Sequence, residues 1–312
     1  MRFGIAVQSH RSLYGAVLTA SELECESLQV VLTDPNSFKH DPIDEKNLGL
    51  FAKHLHKFIE GKTIVHTPYG MNLATPDEKL RNASKASLLD ALERARIIGM
   101  DYVITHIGTH RGVPLEEGVK NVQNTLTEVM RETDSPATIV LEPGAGGKDS
   151  VGATFDQLAM ILDGVPDIVG GLGVCLDTAH LWAAGYEMNS KAGTAAVLDE
   201  YEKYIGFDML KVVHLNDTLM GLGFNKDRHY DIAMGKIGPM GFKAFINSKR
   251  MPKDIPGIIE TPPGDSKSDD KRNLDMIRSL VVKKKPQPAE TNLPVPEEKI
   301  EKIPEKTEKK SP

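Results

Sequence analysis

Eight short, β-branched apolar runs recur along this chain, each followed by a longer stretch of helical period, and this alternation restricts the fold more than any other feature. The runs are FGIAV at 3–7, LQVVL at 28–32, TIVH at 63–66, YVITH at 102–106, TIVLE at 138–142, GVCLD at 173–177, KVVHL at 211–215 and GIIE at 257–260. They are continuously apolar rather than alternating, the pattern of strands covered on both faces. The intervening helical period is clearest in PDEKLRNASKASLLDALERARIIG at 76–99. There Leu80, Leu88, Leu89, Leu92 and Ile97 are expected to share a buried face and Gly99 to close the helix. Strands linked by crossover helices make a parallel sheet, and eight such units close into an α/β fold of (β/α)8 TIM-barrel type. An open doubly wound sheet is the alternative, but FGIAVQSHRS lacks the G-x-G-x-x-G fingerprint common after the first strand of such sheets.

A barrel of this type takes about 250 residues, so 312 residues suit one barrel and a tail. Residues 283–312 read KKKPQPAETNLPVPEEKIEKIPEKTEKKSP, with eight Lys, six Glu, six Pro and no aromatic residue. Such a segment cannot bury enough apolar surface to offset its ordering entropy. The expected division is a barrel domain over 1–282 and a disordered Lys/Glu/Pro-rich tail over 283–312. Lys283 to Pro286 form a basic nuclear-import candidate, although charge runs are usually only solvated.

No stretch approaches the roughly 18 apolar residues of a membrane helix, and MRFGIAVQSH has too short an apolar run for a secretory signal. A cytoplasmic protein is expected, or a nuclear one if it comes from a eukaryote. Cys25 and Cys175, distant and in apolar settings, read as reduced core thiols. The formal charge of −6 argues at first sight against a polyanionic partner. Divalent metal held by carboxylates would reverse that field locally.

Six of the eight runs carry a metal-ligand side chain at their last or next-to-last position: His66, His106, Glu142, Asp177, His214 and Glu260. In a parallel barrel all strand carboxyl ends share one mouth, so these six would converge. A lone buried histidine is most often a hydrogen-bonded core residue. Several carboxylates buried together without cations would cost several kcal/mol each, which bound metal removes. CLDTAHLWAAGY adds His180 three residues beyond Asp177, and NKDRH adds Asp227 and His229. Histidine and carboxylate without thiolate suit zinc, manganese or iron(II), and nine ligands exceed one ion's shell, so two or three metals are expected. His10, His40, His54, His56 and His110 have weaker claims. His54 and His56 lie on different faces of a helix, and Gly108 breaks any helix joining His106 to His110.

The segments LEPGAG, CLDTAHLWAAGY, HLND with NKDRH and GKIG, and IIETP resemble, in order over roughly residues 60–262, the signature blocks of the endonuclease IV family of zinc-dependent apurinic/apyrimidinic endonucleases. The resemblance implies three zinc ions per chain, with manganese or iron(II) able to occupy some sites. His66, His106 and Glu142 would hold one ion, Glu142, Asp177, His214 and Glu260 a second, and His180, Asp227 and His229 a third. Glu142 and Glu260 would be catalytic, Glu142 by bridging and Glu260 by orienting the attacking water. The implied partner of a monomeric enzyme is duplex DNA carrying abasic sites or blocked 3′ ends. Cleavage 5′ to the flipped abasic nucleotide would leave a 3′-hydroxyl and a 5′-deoxyribose phosphate, with 3′-end trimming as a second activity.

The chain departs from the family pattern at AVQS (6–9), where the family usually carries an H-V-S motif, and at the residues that enter the DNA stack. The family's Tyr-Leu pair reads Tyr69–Gly70 here, and TDPNSFKH at 33–40 holds no Arg, leaving Tyr69, Phe38 and Lys39 as DNA-contact candidates. A sugar isomerase or epimerase of the same superfamily would need only Glu142, Asp177, His214 and Glu260. A catalytically inactive DNA-damage binding protein is a third reading, against which the complete ligand set argues.

Overall fold

The computed structural model describes residues 1–8, 12–32, 45–166, 171–261 and 267–282. His10, Phe38, Lys39, His40 and the tail, with Lys283 to Pro286, lie outside the described residues. Eight strands, β1 (Arg2–Gln8), β2 (Ser27–Val31), β3 (Thr63–His66), β4 (Tyr102–His106), β5 (Thr138–Glu142), β6 (Leu172–Asp177), β7 (Leu210–His214) and β8 (Pro256–Ile259), pair in parallel. They close in sequence order into one barrel, β8 returning to β1 with Phe3 beside Gly257 and Ile5 beside Ile259.

Helices α1 (Leu13–Glu22), α2 (Glu45–Phe58), α3 (Glu78–Ile98), α4 (Leu115–Glu132), α5 (Phe155–Asp163), α6 (Thr178–Ala184), α7 (Lys191–Tyr204), α8 (Gly238–Ile246) and α9 (Lys267–Ser279) fill the crossovers and the end of the described chain. The main apolar core, between barrel and helices, includes Phe51, Leu88, Leu126, Phe155, Tyr201 and Phe242. Residues Met1–Val281 form one compact unit. No described helix is long and apolar enough to cross a membrane.

Helix α3 starts where Asp77 accepts the Leu80 amide, and it stops at the expected Gly99, which turns left-handed at φ 74°. Its buried face differs by one position from the expected one. Leu88, Ala91, Leu92, Ala95 and Ile98 face the core, while Ile97 is 44% exposed and Leu80 and Leu89 are half-buried. Small alanines let the helix sit close to the sheet, a role that a search for large apolar residues overlooks. Cys25 and Cys175 are buried and free, and burial pushes both thiols up to about 12.

Candidate metal centre

The barrel interior holds a small apolar cluster of Ile64, Ile104, Val140, Cys175, Val212 and Ile258. Two positions after each of these, in the same order, stand His66, His106, Glu142, Asp177, His214 and Glu260. Successive strand side chains alternate between faces, so a residue two places beyond an interior one also points inward. Register aligns them laterally: His106 is beside Glu142 on β4 and β5, and Asp177 beside His214 on β6 and β7. The six expected strand-end residues therefore meet above one apolar floor. His180 joins them from the first turn of α6, whose N-terminus Asp177 caps through the Ala179 and His180 amides. Asp227 and His229 arrive from the β7–α8 loop.

Glu142, 1% exposed, stands at the centre. One of its oxygens, Oε2, lies 3.0 Å from His66 Nε2 and 3.5 Å from His106 Nδ1. The other, Oε1, lies 2.8 Å from His214 Nδ1 and 3.6 Å from His180 Nδ1. His214 Nδ1 is also 3.1 Å from Glu260 Oε2 and 3.9 Å from Asp177 Oδ2. Asp227 approaches His180 Nε2 at 3.4 Å and His229 Nε2 at 3.1 Å, and His229 Nε2 is 3.5 Å from Asp177. Candidate ligand atoms lie within 4.8 Å of one another in the sets His66–His106–Glu142, Glu142–Asp177–His214–Glu260 and Asp177–His180–His229. The first two bring together the same residues that the sequence reading grouped. In the third, Asp177 accompanies the two histidines while Asp227 faces both.

The outer partners of the histidines decide which nitrogen turns inward. His66 Nδ1 donates to the Thr67 carbonyl at 2.7 Å, His180 Nδ1 to the Pro143 carbonyl at 3.0 Å and His229 Nδ1 to the Glu260 carbonyl at 2.9 Å. Each thereby presents Nε2 to the carboxylates, an arrangement typical of histidines that bind metal. The buried Nε2 atoms of His180 and His229 have no hydrogen-bond partner. An orphaned ring nitrogen facing a carboxylate calls for a proton or a cation. The residues present thus fit divalent metal, with four carboxylates to supply charge and inward nitrogens to supply lone pairs.

Without metal, protons on histidine take the compensating role. Burial opposes charge on His180 and His229, but Asp177, Asp227 and their neighbours outweigh it, raising them to about 10 and about 9. His66 rises too, since Glu142 outweighs the penalty of burial, and so does His214, against which Cys175, Glu260 and Glu142 lie. His106 falls to about 4, because burial prevails over the more distant carboxylates. Glu142 and Asp227 are buried, which raises a carboxyl pKa, yet adjacent histidines hold both far below the ordinary range. Glu260 drops to about 2 for the same reason.

Three positioning residues escaped the sequence reading. Gln29 is fully buried on β2, donating to Glu260 Oε1 at 2.5 Å and accepting from His214 Nε2 at 2.8 Å. Asn216 donates to Asp177 Oδ2 at 2.6 Å and accepts the Glu260 amide at 2.9 Å. Asp217, fully buried, takes the amides of Thr218, Gly235, Ile237 and Gly238, so it ties down both ends of the loop that carries Asp227 and His229. A Cβ at Gly235 would meet Asp217 Oδ1 at 2.4 Å, so that turn needs glycine. The available signal was a lone glutamine within the apolar run LQVVL. Cys175, read as plain core, also lies against Glu142 and His214.

Tyr69, 67% exposed, stands at the rim with its ring edge-on to His106 at 5.4 Å between centroids. On one side lies the ligand pocket, of about 230 Å³, lined also by Gln8, Val31 and Thr67. On the other, Tyr69 and Gly70 border a groove of about 320 Å³ with Asn72, Thr109, Arg111 and Asn225. His110 instead packs against Gly118, and its backbone amide bonds to Asp149. His54 packs between Tyr14 and Phe58, and His56 is exposed on the outer face of α2. Arg111, Lys148, Lys226 and Lys236, on loops at the carboxyl ends of the strands, pair with no carboxylate among the described residues. At the opposite end of the barrel Arg2 and Lys62 are tied to Glu26, Glu60, Asp254 and Asp101.

Comparison with known proteins places this geometry among relatives. Residues 17–280 match the family described as xylose isomerase-like TIM barrel. A probable endonuclease 4 of Nitrosopumilus maritimus is 36% identical over 271 residues, 86% of this chain and 96% of the relative. One from Halothermothrix orenii is 34% identical over 278 residues, covering 89% and 99%. The crystal structure of endonuclease IV from Thermus thermophilus superposes with TM-score 0.77 at 30% identity, covering 90% of this chain and 98% of that one. A D-tagatose 3-epimerase-like protein shares the fold at 20% identity and TM-score 0.67. With ligand-type residues at six strand ends, and with matches that run almost the full length of both chains, this protein belongs to the endonuclease IV family of xylose isomerase-like TIM barrels.

Proposed function

We propose that this chain is a zinc-dependent apurinic/apyrimidinic endonuclease. It hydrolyses the phosphodiester 5′ to an abasic site in duplex DNA and leaves a 3′-hydroxyl and a 5′-deoxyribose phosphate. The observation that carries this reading is the division of the Glu142 oxygens, Oε2 toward His66 and His106, Oε1 toward His214. A carboxylate so placed can bridge two cations, and a phosphodiester needs charge neutralised at both its attacking and its departing oxygen.

His66, His106 and Glu142 would hold one zinc, Glu142, Asp177, His214 and Glu260 a second, and His180, Asp227 and His229 a third. Bound zinc supplies Lewis acidity and lowers the pKa of water to near neutrality. Glu260, fixed by Gln29 and Asn216, orients the attacking water. Tyr69 contacts the displaced nucleotide at the rim. Extrusion is inexpensive because an abasic nucleotide has no base to unpair. The unpaired cations of the mouth meet the phosphate backbone, despite the net charge of −6. We assign the same centre a 3′-end trimming activity, and the catalytic barrel domain to residues 1–282.

The test is incubation of the purified chain with a duplex bearing one abasic site, before and after prolonged chelation, with elemental analysis alongside. Chelator-sensitive cleavage 5′ to the site and close to three zinc per chain support the assignment. The Glu142, Asp177, His214 and Glu260 quartet also suits metal-dependent enolisation of a ketose. His66, His106, His180, Asp227 and His229 have no role in that chemistry. Tenfold faster turnover of a ketose than of the abasic duplex would favour the epimerase reading.

A further inference from the structure

We propose that Phe224 is a stacking platform for the base left without a partner opposite the abasic nucleotide, an inference that rests on the function proposed above. The β7–α8 loop exposes three large apolar side chains within six positions: Leu219 at 54%, Leu222 at 45% and Phe224 at 48%. Solvent-exposed apolar clusters of this kind mark contact surfaces. The next residue, Asn225, lines the groove that Tyr69 borders, so the cluster belongs to the rim of the mouth.

The loop beneath the ring is fixed. Trp182 Nε1 donates to the Met220 carbonyl at 2.9 Å, and the Gly223 amide donates to the Trp182 carbonyl at 3.1 Å. The backbone and side-chain amides of Asn225 both reach the Ala183 carbonyl, at 3.0 and 2.9 Å. Trp182 and Ala183 lie on α6, the short helix whose first turn carries His180. The backbone that carries the ring is thus tied to the helix that carries His180, and an apolar side chain held out to water on a fixed backbone is preorganised for a partner.

Charge identifies that partner. The Lys226 ammonium lies 5.5 Å from the Phe224 ring centroid, and neither it nor Lys236 on the same loop has a carboxylate partner among the described residues. An apolar protein segment would satisfy the leucines and leave these cations stranded. A nucleobase presents a π-face to the ring while its own phosphate lies within reach of the cations. Removal of one base from a duplex leaves its opposite number unpaired, the least costly base to draw onto such a ring. Leu219 and Leu222 extend the apolar surface under the adjoining sugar.

The full-length, metal-loaded protein is mixed with a duplex carrying 2-aminopurine opposite a single abasic site. Wild type is expected to bind it more tightly than the intact duplex and to quench the fluorophore by stacking. F224A should weaken abasic-duplex binding about tenfold and remove the quench, and F224W should restore both. Unchanged metal content in the variants shows that the centre is intact. Full quench and affinity in F224A overturn the platform while leaving the endonuclease assignment standing. A wild-type dimer in sedimentation that F224A dissolves also overturns it, giving the patch to a second copy of the chain. Wild type that neither prefers nor cleaves the abasic duplex removes the endonuclease assignment itself and the platform with it.

Discussion

Gln29 and His214, both fully buried, fix one another's orientation within the barrel. The Gln29 amide nitrogen donates to Glu260 Oε1 at 2.5 Å, so its oxygen must be the atom facing His214 Nε2 at 2.8 Å. His214 therefore carries its hydrogen on Nε2, and Nδ1 is the atom left to face Glu142, Asp177 and Glu260. One neutral side chain, 231 residues from one partner and 185 from the other, thus selects the tautomer of a histidine and the rotamer of a carboxylate.

The first prediction follows from that pair. Gln29→Ala should reduce cleavage and metal affinity on the order of 10- to 100-fold, the usual effect of losing an outer partner of a metal ligand. Two buried polar atoms lose their partner, so stability should also fall by about 1–3 kcal/mol. Gln29→Glu would place a further carboxylate against Glu260 and should be worse than alanine for folding. Zinc stoichiometry, melting temperature and single-turnover rate measure these effects. Wild-type metal affinity in the alanine variant would remove Gln29 from the centre.

Glu142→Gln should abolish cleavage, with a loss on the order of 10²–10³-fold or more, and leave the barrel folded. The amide keeps the shape of the carboxylate but removes the charge shared by two sites. Circular dichroism and the abasic-duplex assay together test this. A folded variant retaining the wild-type rate excludes the bridging role.

The pH dependence of stability should change sign with metal. In the metal-free chain His180 and His229 titrate at about 10 and about 9, above the ordinary 6.5, because neighbouring carboxylates outweigh burial. Their stabilising contribution is complete below pH 6.5 and is lost as pH rises through those values. Glu260 titrates at about 2 against an ordinary 4.5, so its contribution is complete above pH 4.5 and is lost as pH falls through 2. His106, lowered to about 4 by burial, contributes fully above pH 6.5 and loses that as pH falls toward 4, so the metal-free protein should melt highest near pH 6.5. Zinc competes with protons for the same nitrogens, so its added stability should grow with pH. Calorimetry on chelated and loaded samples checks both slopes. A metal-free melting temperature that climbs between pH 6.5 and 9 contradicts the prediction.

Asp217 touches no candidate ligand in the structure, yet its loss should affect the centre. Asp217→Ala releases four backbone amides that hold Gly235, Ile237 and Gly238 to the base of the loop. The expected result is selective loss of the metal proposed for His180, Asp227 and His229, at a cost of several kcal/mol in stability. Zinc counts falling from three toward two, with the barrel still folded, are the readout. Equal loss from all sites would mean that Asp217 supports the whole barrel.

Tyr69→Ala should lower affinity for the abasic duplex severalfold, by about 1 kcal/mol or more for a lost stacking contact, and leave the salt dependence of binding nearly unchanged. Tyr69 carries no charge, and the salt slope counts phosphate contacts. Binding isotherms at two ionic strengths test this. An unaltered affinity would assign the ring to packing on His106 alone.

Local pattern was enough to determine the strands, the barrel they close, and the six ligand-type residues that stand at their ends. Strand periodicity is two, and the same six strands carry an interior apolar residue two places before the ligand, from Ile64 before His66 to Ile258 before Glu260. Helix α3 was legible at its C-terminal end, through Gly99, but not in its buried face. The contribution of Ala91 and Ala95 depends on how closely the helix approaches the sheet, which the helix sequence does not state. Tertiary structure alone decided which atoms face which. Nothing local distinguishes Gln29 from any polar residue in a strand, and nothing in HLND separates Asn216, which holds Asp177, from Asp217, which holds a loop. Those roles arise from contacts between segments far apart in sequence, and the hydrogen-bond partner across the barrel sets the orientation of each side chain.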